Sequence, residues 1–338
     1  MKKLLVYPLF LLLLMAACTV DEPNPPQEPE EPENPENPTP RDPDVEVPFI
    51  EGTNIIFTPQ EEAAERLGTS DSYTQVLSKF DLASRTQNRE STEEEDYLTF
   101  ASLQAQAWTE EEKEVLEERI LGIKDKIDAM DLQLEFPEEI LLIKSSMLEE
   151  GGAVSYTREN YIVVRGLVNE SFLIHELFHI LTRFKPEKRN ALFETINFTE
   201  SNRIEYPEGI RDFIITNPDA PFLEHTITLE VDGESEEVVF ILISEEEWDG
   251  GSFFTYLKQR LMFVEGAADE KQASLVDNMP VLKNFAAATD LKQKIGDNTD
   301  YTLHPEEILA EHFVMLLQEQ EVPEPSYIDA MKTVLQQD

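Results

Sequence analysis

From Thr109 onward the chain repeats a helical rhythm. Leu116, Ile120, Ile123, Ile127 and Met130 recur at three- and four-residue intervals, which places them on one face of a helix. Thr109 and Glu112 precede them in S/T-x-x-E order, the reciprocal cap that starts a helix. Upstream, residues 59–105 carry shorter amphipathic patterns with polar breaks, and "RTQNRESTEEED" reads as loop. Downstream the period changes. "EILLIKSS" at 139–146 reads as a strand, and "AVSY" and "YIVVRG", joined by Thr157-Arg158-Glu159-Asn160, predict a hairpin. "ESFLIHELFHILTRF" then predicts a helix from about Asn169 to Phe184. It is apolar on nearly every side, so it should be buried. Pro186 suits the first turn of another helix, with Leu192, Phe193 and Ile196 turned inward.

The C-terminal half continues the mixture. Residues 223–245 read as a β-hairpin around Asp232-Gly233. Residues 252–275 read as helical, interrupted or begun afresh near Gly266. Pro305 to Gln318 predicts a clear helix, and a short one follows Pro325. Helices, strands, a helix, then a hairpin and helices make an α+β fold.

The N-terminus is of a different kind. Lys2 and Lys3 precede an apolar run from Leu4 to Met15, followed by Ala16-Ala17-Cys18. This is the pattern of a secretory signal over residues 1–18, and the run is too short for a permanent membrane span. Small residues before the chain's one cysteine resemble a bacterial lipobox, which implies cleavage before Cys18 and lipidation of its thiol. A plain signal peptide or an uncleaved anchor is the alternative. Residues 19–49 are mostly Pro, Glu, Asn and Asp and cannot bury enough apolar surface to fold. They are expected to form an extended tether, with the folded domain over 50–338. The expected location is the bacterial cell envelope, lipid-anchored, on the outer membrane.

Charge narrows the partners. The 338 residues include 70 acidic and 27 basic side chains, a formal net charge of −43. A field of that sign repels nucleic acid, so no nucleic-acid partner is expected. Arg183, Lys185, Lys188 and Arg189 form the basic cluster of the folded region. They suit a helix C-terminus; recognition of an acidic substrate is the other reading.

The chemistry lies in His175-Glu176-Leu177-Phe178-His179. On a helix, residues i and i+4 share a face, so His175 and His179 can aim two imidazoles at one ion. Glu176, rotated by about 100°, can flank that ion and take a proton from its water. A purely structural histidine pair is the competing reading, but two imidazoles and a carboxylate buried without partners would cost several kcal/mol. A catalytic Zn2+ site needs a third protein ligand. In "DYTLHPEEILAEHF", Glu307 and Glu311 are i, i+4; one carboxylate can bind the ion while the other orients a ligating imidazole. In "FVEGAADE", Glu265 and Asp269 have the same spacing and compete for the role. His304 and His312 are further options, better read as packing residues, and His225 reads as surface.

HELFH followed far downstream by E-x-x-x-E resembles the gluzincin class of zinc peptidases. "HPEEILAEHF" is similar to the E-x-x-A-E segment of the anthrax lethal factor-like peptidases, and the whole to a group of uncharacterised, often lipidated bacterial zinc proteins. The E-G-x-A of the Glu265 segment also resembles a gluzincin glutamate helix. The first resemblance implies a zincin-like domain: a small antiparallel-edged sheet, a buried HExxH helix and a later glutamate helix. It implies Glu307 as ligand, Glu311 behind it, and Tyr301 as the residue supporting the tetrahedral intermediate. It further implies a peptide or protein substrate, taken as an added strand along "AVSYTRENYIVV". The long separation of His179 from Glu307 makes the 223–245 hairpin an insertion. The resulting expectation is a membrane-anchored zinc peptidase. A non-catalytic zinc-binding or sensory lipoprotein, and a tethered interaction module without metal, are the alternatives.

Overall fold

Residues 46–337 are described by the computed structural model. The expected signal segment, Cys18 and the tether up to residue 45 lie outside the described residues. Folded structure starts a few residues before the expected boundary. Strand β1 (Glu46–Pro48) pairs antiparallel with β2 (Asn54–Phe57), and Val47 and Phe49 are buried. Two apolar side chains at the end of a Pro- and acid-rich run are enough to join the sheet.

Helices α1 (Gln60–Leu67), α2 (Lys79–Arg85), α3 (Glu94–Ser102) and α4 (Glu110–Ala129) follow. The α4 cap forms as predicted: Glu112 N donates to Thr109 Oγ1 at 3.2 Å and Thr109 N to Glu112 Oε2 at 2.9 Å. Next come β3 (Glu139–Lys144), β4 (Ser155–Arg158), β5 (Tyr161–Val164), α5 (Glu170–Phe184) and α6 (Pro186–Glu194). The sheet order is β1-β2-β3-β5-β4. Strands β2, β3 and β5 run parallel, with antiparallel strands at both edges. Thr157 and Arg158 belong to β4, so the hairpin turn is only Glu159-Asn160, with Glu159 at φ 44°.

Both faces of this sheet are covered, which explains the unbroken apolar run in β3. Ile140 and Leu142 pack with α4, α5 and α9 (Pro305–Leu317), whereas Leu141 and Ile143 pack with α1 and α3. Leu116, Ile120, Ile123 and Ile127 of α4 all lie in the first of these cores.

Between α6 and α9 lie β6 (Thr199–Glu200), α7 (Glu208–Arg211), β7 (His225–Val231), β8 (Glu234–Ile243), β9 (Lys258–Glu265), β10 (Gln272–Ala273), β11 (Leu275–Val276), β12 (Met279–Pro280), β13 (Leu282–Lys283) and α8 (Leu291–Ile295). The predicted hairpin is β7–β8, the middle of a second sheet of order β10-β9-β8-β7-β6, with β13 also on β9. The helix expected over 252–275 is therefore corrected to strand. Register pairs Val238 with Phe263 and Phe240 with Leu261. Leu261 joins one core while Met262 and Val264 join another. That alternation suits a strand buried on both faces, and pairing with β8 outweighs the local pattern. A last helix, α10 (Pro325–Leu335), packs on α9. The fold class is α+β, as expected. Among the described residues no helix is long and apolar enough to cross a membrane.

His225, expected at the surface, is buried. Its ring packs 4.3 Å from that of Phe193, and Nε2 lies 2.9 Å from Asn190 Oδ1. Burial, with Arg189 nearby, pushes it down to about 3. His312 is buried too, neither ring nitrogen has a partner, and burial pushes it down to about 4. Both rings are held neutral, whereas unfolded histidines titrate near ~6.5. Their stabilising contribution is complete above that pH and is lost as pH falls toward the folded values. Each adds a slope of up to about 1.4 kcal/mol per pH unit in that window. Denaturant unfolding from pH 7 to 4 should show stability falling with acid, and His312→Leu should flatten the slope.

Candidate metal centre

Helices α5 and α9 pack against each other. This contact brings together the two segments singled out in the sequence. His175 and His179 sit on successive turns of α5, with ring centroids 4.7 Å apart. His175 Nε2 lies 3.0 Å, and His179 Nε2 3.8 Å, from Glu307 Oε2. Donor atoms of these three residues all lie within 4.8 Å of one another, and the three could form a metal site.

The outer nitrogens are held by further carboxylates. His175 Nδ1 lies 3.1 Å from Glu311 Oε1, the role expected for that residue. His179 Nδ1 lies 3.2 Å from Glu306 Oε1, which also accepts from the Thr182 hydroxyl. An Nδ1–H donated to a carboxylate leaves the Nε2 lone pair for a metal. His179 Nε2 is buried and has no hydrogen-bond partner. An orphaned lone pair facing a carboxylate is what a cation would satisfy, and so the residues fit an ion.

Electrostatics agree. Burial alone would raise Glu307, but the His179 and His175 rings and the hydrogen bonds from His175 and Asn217 bring it down to about 2. Burial disfavours a charged His175, yet its bonds to Glu307 and Glu311 raise its pKa overall. For His179, too, burial is outweighed, here by Asp219, Glu307 and Glu306. Burial and then Asp219 push Glu176 up to about 7, against the pull of both imidazoles and Ser155. Glu176 Oε2 is buried without a partner.

Tyr301 precedes α9 and its ring lies 6.1 Å from that of His175. The residue is 44 % exposed, and the Glu307 charge raises its pKa above the usual phenol value, so its hydroxyl stays protonated. Glu265 ends β9, exposed and paired with Gln272, and Asp269 lies in the turn beyond Gly266. Neither belongs to a group able to hold an ion among the described residues. His304 caps α9, its Nδ1 accepting from Glu306 N at 3.1 Å, and His312 faces the Tyr327 ring at 6.2 Å.

Three participants escaped the sequence reading: Glu306, Asn217 and Asp219. Asn217 Nδ2 donates to Glu307 Oε1 at 2.6 Å. Asp219 forms a second possible donor set with Glu176 and His179. Its Oδ1 accepts from Thr157 N (2.6 Å) and Oγ1 (2.8 Å). Arg183 ties the same loop to β4, donating to Asp219 O at 3.1 Å and Thr157 Oγ1 at 3.0 Å. The basic cluster is engaged within the protein: Lys185 pairs with Glu135, Lys188 donates to Gln133 O and Gln337 O, and Arg189 pairs with Glu224. The loop "NPDAPF" carries no periodic signal that could have marked Asn217 or Asp219. No family model, no curated protein and no solved structure matches the chain.

Proposed function

We propose that this chain is a zinc-dependent peptidase of zincin-like fold, held at the bacterial cell envelope by a lipid on Cys18. The observation that carries the activity is the convergence of two imidazole nitrogens on Glu307, one of them an orphan, with Glu176, whose Oε2 has no partner, beside them. Two nitrogens and one carboxylate oxygen suit zinc and leave a position open, the composition of catalytic rather than structural sites. His175, His179 and Glu307 would hold the ion. When bound, zinc would supply a Lewis acid and a water whose pKa is lowered to around 7.

The protein's own groups do the remaining work. Glu176 accepts the proton of the attacking water and passes it to the leaving amine. The Tyr301 hydroxyl, kept protonated, donates to the oxyanion. Glu311 and Glu306 fix the imidazoles. Strand β4 pairs with β5 on one side, while Asp219 already takes its Thr157 N–H on the other, so the strand-addition site expected there is partly occupied.

The test is metal content of the purified protein together with cleavage of a peptide library, with and without EDTA. Stoichiometric zinc and EDTA-sensitive cleavage are expected; absence of bound metal sinks the reading. Tyr301→Phe should retain zinc and lose activity by about 10²-fold. Glu311→Gln should weaken zinc binding by about 10- to 100-fold, measured by competition with a chelating dye.

Asp219 favours a second reading. With His179 and Glu176 it forms a separate donor set, which would engage Glu176 as a ligand rather than as a base, as in structural or sensory sites. Stoichiometric zinc without cleavage of any peptide, and weaker zinc binding in Asp219→Ala, would select it.

A further inference from the structure

A cavity of about 100 Å³ lies beside the metal centre. Ser155, Asn217, Asp219 and Tyr301 line it, and of these Asn217 bonds Glu307 directly. Phe253, Leu242, Leu257 and Leu303 give it apolar walls. Arg85 and Glu150 also line it, and both are buried, Arg85 at 1 % exposure.

Arg85 is incompletely satisfied. Its Nε donates to Tyr73 Oη at 2.7 Å and its Nη2 to Thr216 O at 2.5 Å. Nη2 also lies 3.5 Å from Asp81 Oδ1 and 3.4 Å from Glu150 Oε2. Nη1 is buried with no partner. A buried guanidinium arm without an acceptor is costly, and native structures rarely leave one. Asp81 and Glu150 already face this one guanidinium, which leaves it little to offer a further anion. A third anion would be unfavourable there, and the chain's net charge of −43 repels acidic chains in any case.

We propose that this cavity is the specificity pocket of the enzyme, and that Arg85 selects a neutral substrate side chain whose tip carries a hydrogen-bond acceptor, tyrosine or glutamine. The inference rests on the peptidase reading for its biological meaning, though binding can be tested without turnover. The apolar walls take the stem, and Nη1 meets the acceptor at the tip. A carboxylate tip is refused by Asp81 and Glu150.

The experiment titrates the full chain, in EDTA, with N-acetyl-tyrosinamide, N-acetyl-phenylalaninamide and the glutamate analogue, followed by calorimetry or ligand-observed NMR. The tyrosine amide should bind about ten-fold tighter than the phenylalanine amide, and the glutamate analogue no better than the latter. Arg85→Met should erase the tyrosine advantage. Should that variant fail to fold, Leu257→Trp narrows the cavity from a partly exposed position and should weaken both aromatic ligands. Equal binding of the two aromatic amides to the unaltered chain, or binding unchanged by Leu257→Trp, overturns the pocket. Turnover separates the two proposals. A protein that cleaves no peptide yet prefers the tyrosine amide loses the peptidase reading and keeps the pocket. Cleavage with no tyrosine or glutamine preference at any position keeps the peptidase and removes the pocket.

Discussion

Exchanging Glu176 for glutamine is expected to leave bound zinc unchanged and to lower peptide cleavage by about 10³-fold or more. The side chain is buried within α5, next in sequence to His175, and its Oε2 has no partner. Glutamine keeps the shape and the packing but cannot accept a proton. Removing a buried carboxylate that burial already disfavours should not destabilise the fold, so melting should hold or rise. Zinc content by mass spectrometry, melting and single-turnover cleavage, measured on one preparation, separate a lost base from a lost site. Full activity in this variant would refute Glu176 as the base.

Replacing Glu307 by alanine is the second large expectation. It removes the oxygen on which both Nε2 atoms converge, and it strands Asn217 Nδ2, which loses its acceptor. A two-histidine remnant lacks the third donor a catalytic zinc site requires, so zinc should fall from stoichiometric to near background and cleavage with it. The neighbouring Glu306 is already engaged by His179 and Thr182 and is not expected to substitute. Glu265→Ala is the control. Its side chain is exposed at the end of β9, and zinc content should be unchanged. Equal zinc in the Glu307→Ala variant and the unaltered chain would remove Glu307 from the ligand set.

How much of this was legible depends on how local each signal is. The apolar face of α4, its Thr109–Glu112 cap and the histidines of α5 are written within a few turns of one helix, and they were read directly. So was the Glu307–Glu311 spacing. The identity of strand β9 comes from pairing with β8 and from two cores that meet its two faces, not from its local pattern. Without those partners, Leu261, Met262, Phe263 and Val264 suit a helix as well. Nothing near His225 in sequence announces that Phe193 and Asn190 will enclose it. Asp219 and Asn217 reach the site on a loop held by Arg183 and Thr157. Glu306 differs from Glu307 by one position, and only the packing of α9 against α5 assigns one to His179 and the other to the shared point.

The order of the ligands along the chain has a consequence for biogenesis. Both imidazoles lie on α5, while their closing carboxylate waits until α9, after an entire second sheet. A polypeptide emerging from its N-terminus exposes the histidines first and cannot complete the trio until α9 has followed the second sheet. Contacts of such long sequence separation form late. On the proposed peptidase reading, activity would therefore wait for α9 to reach α5.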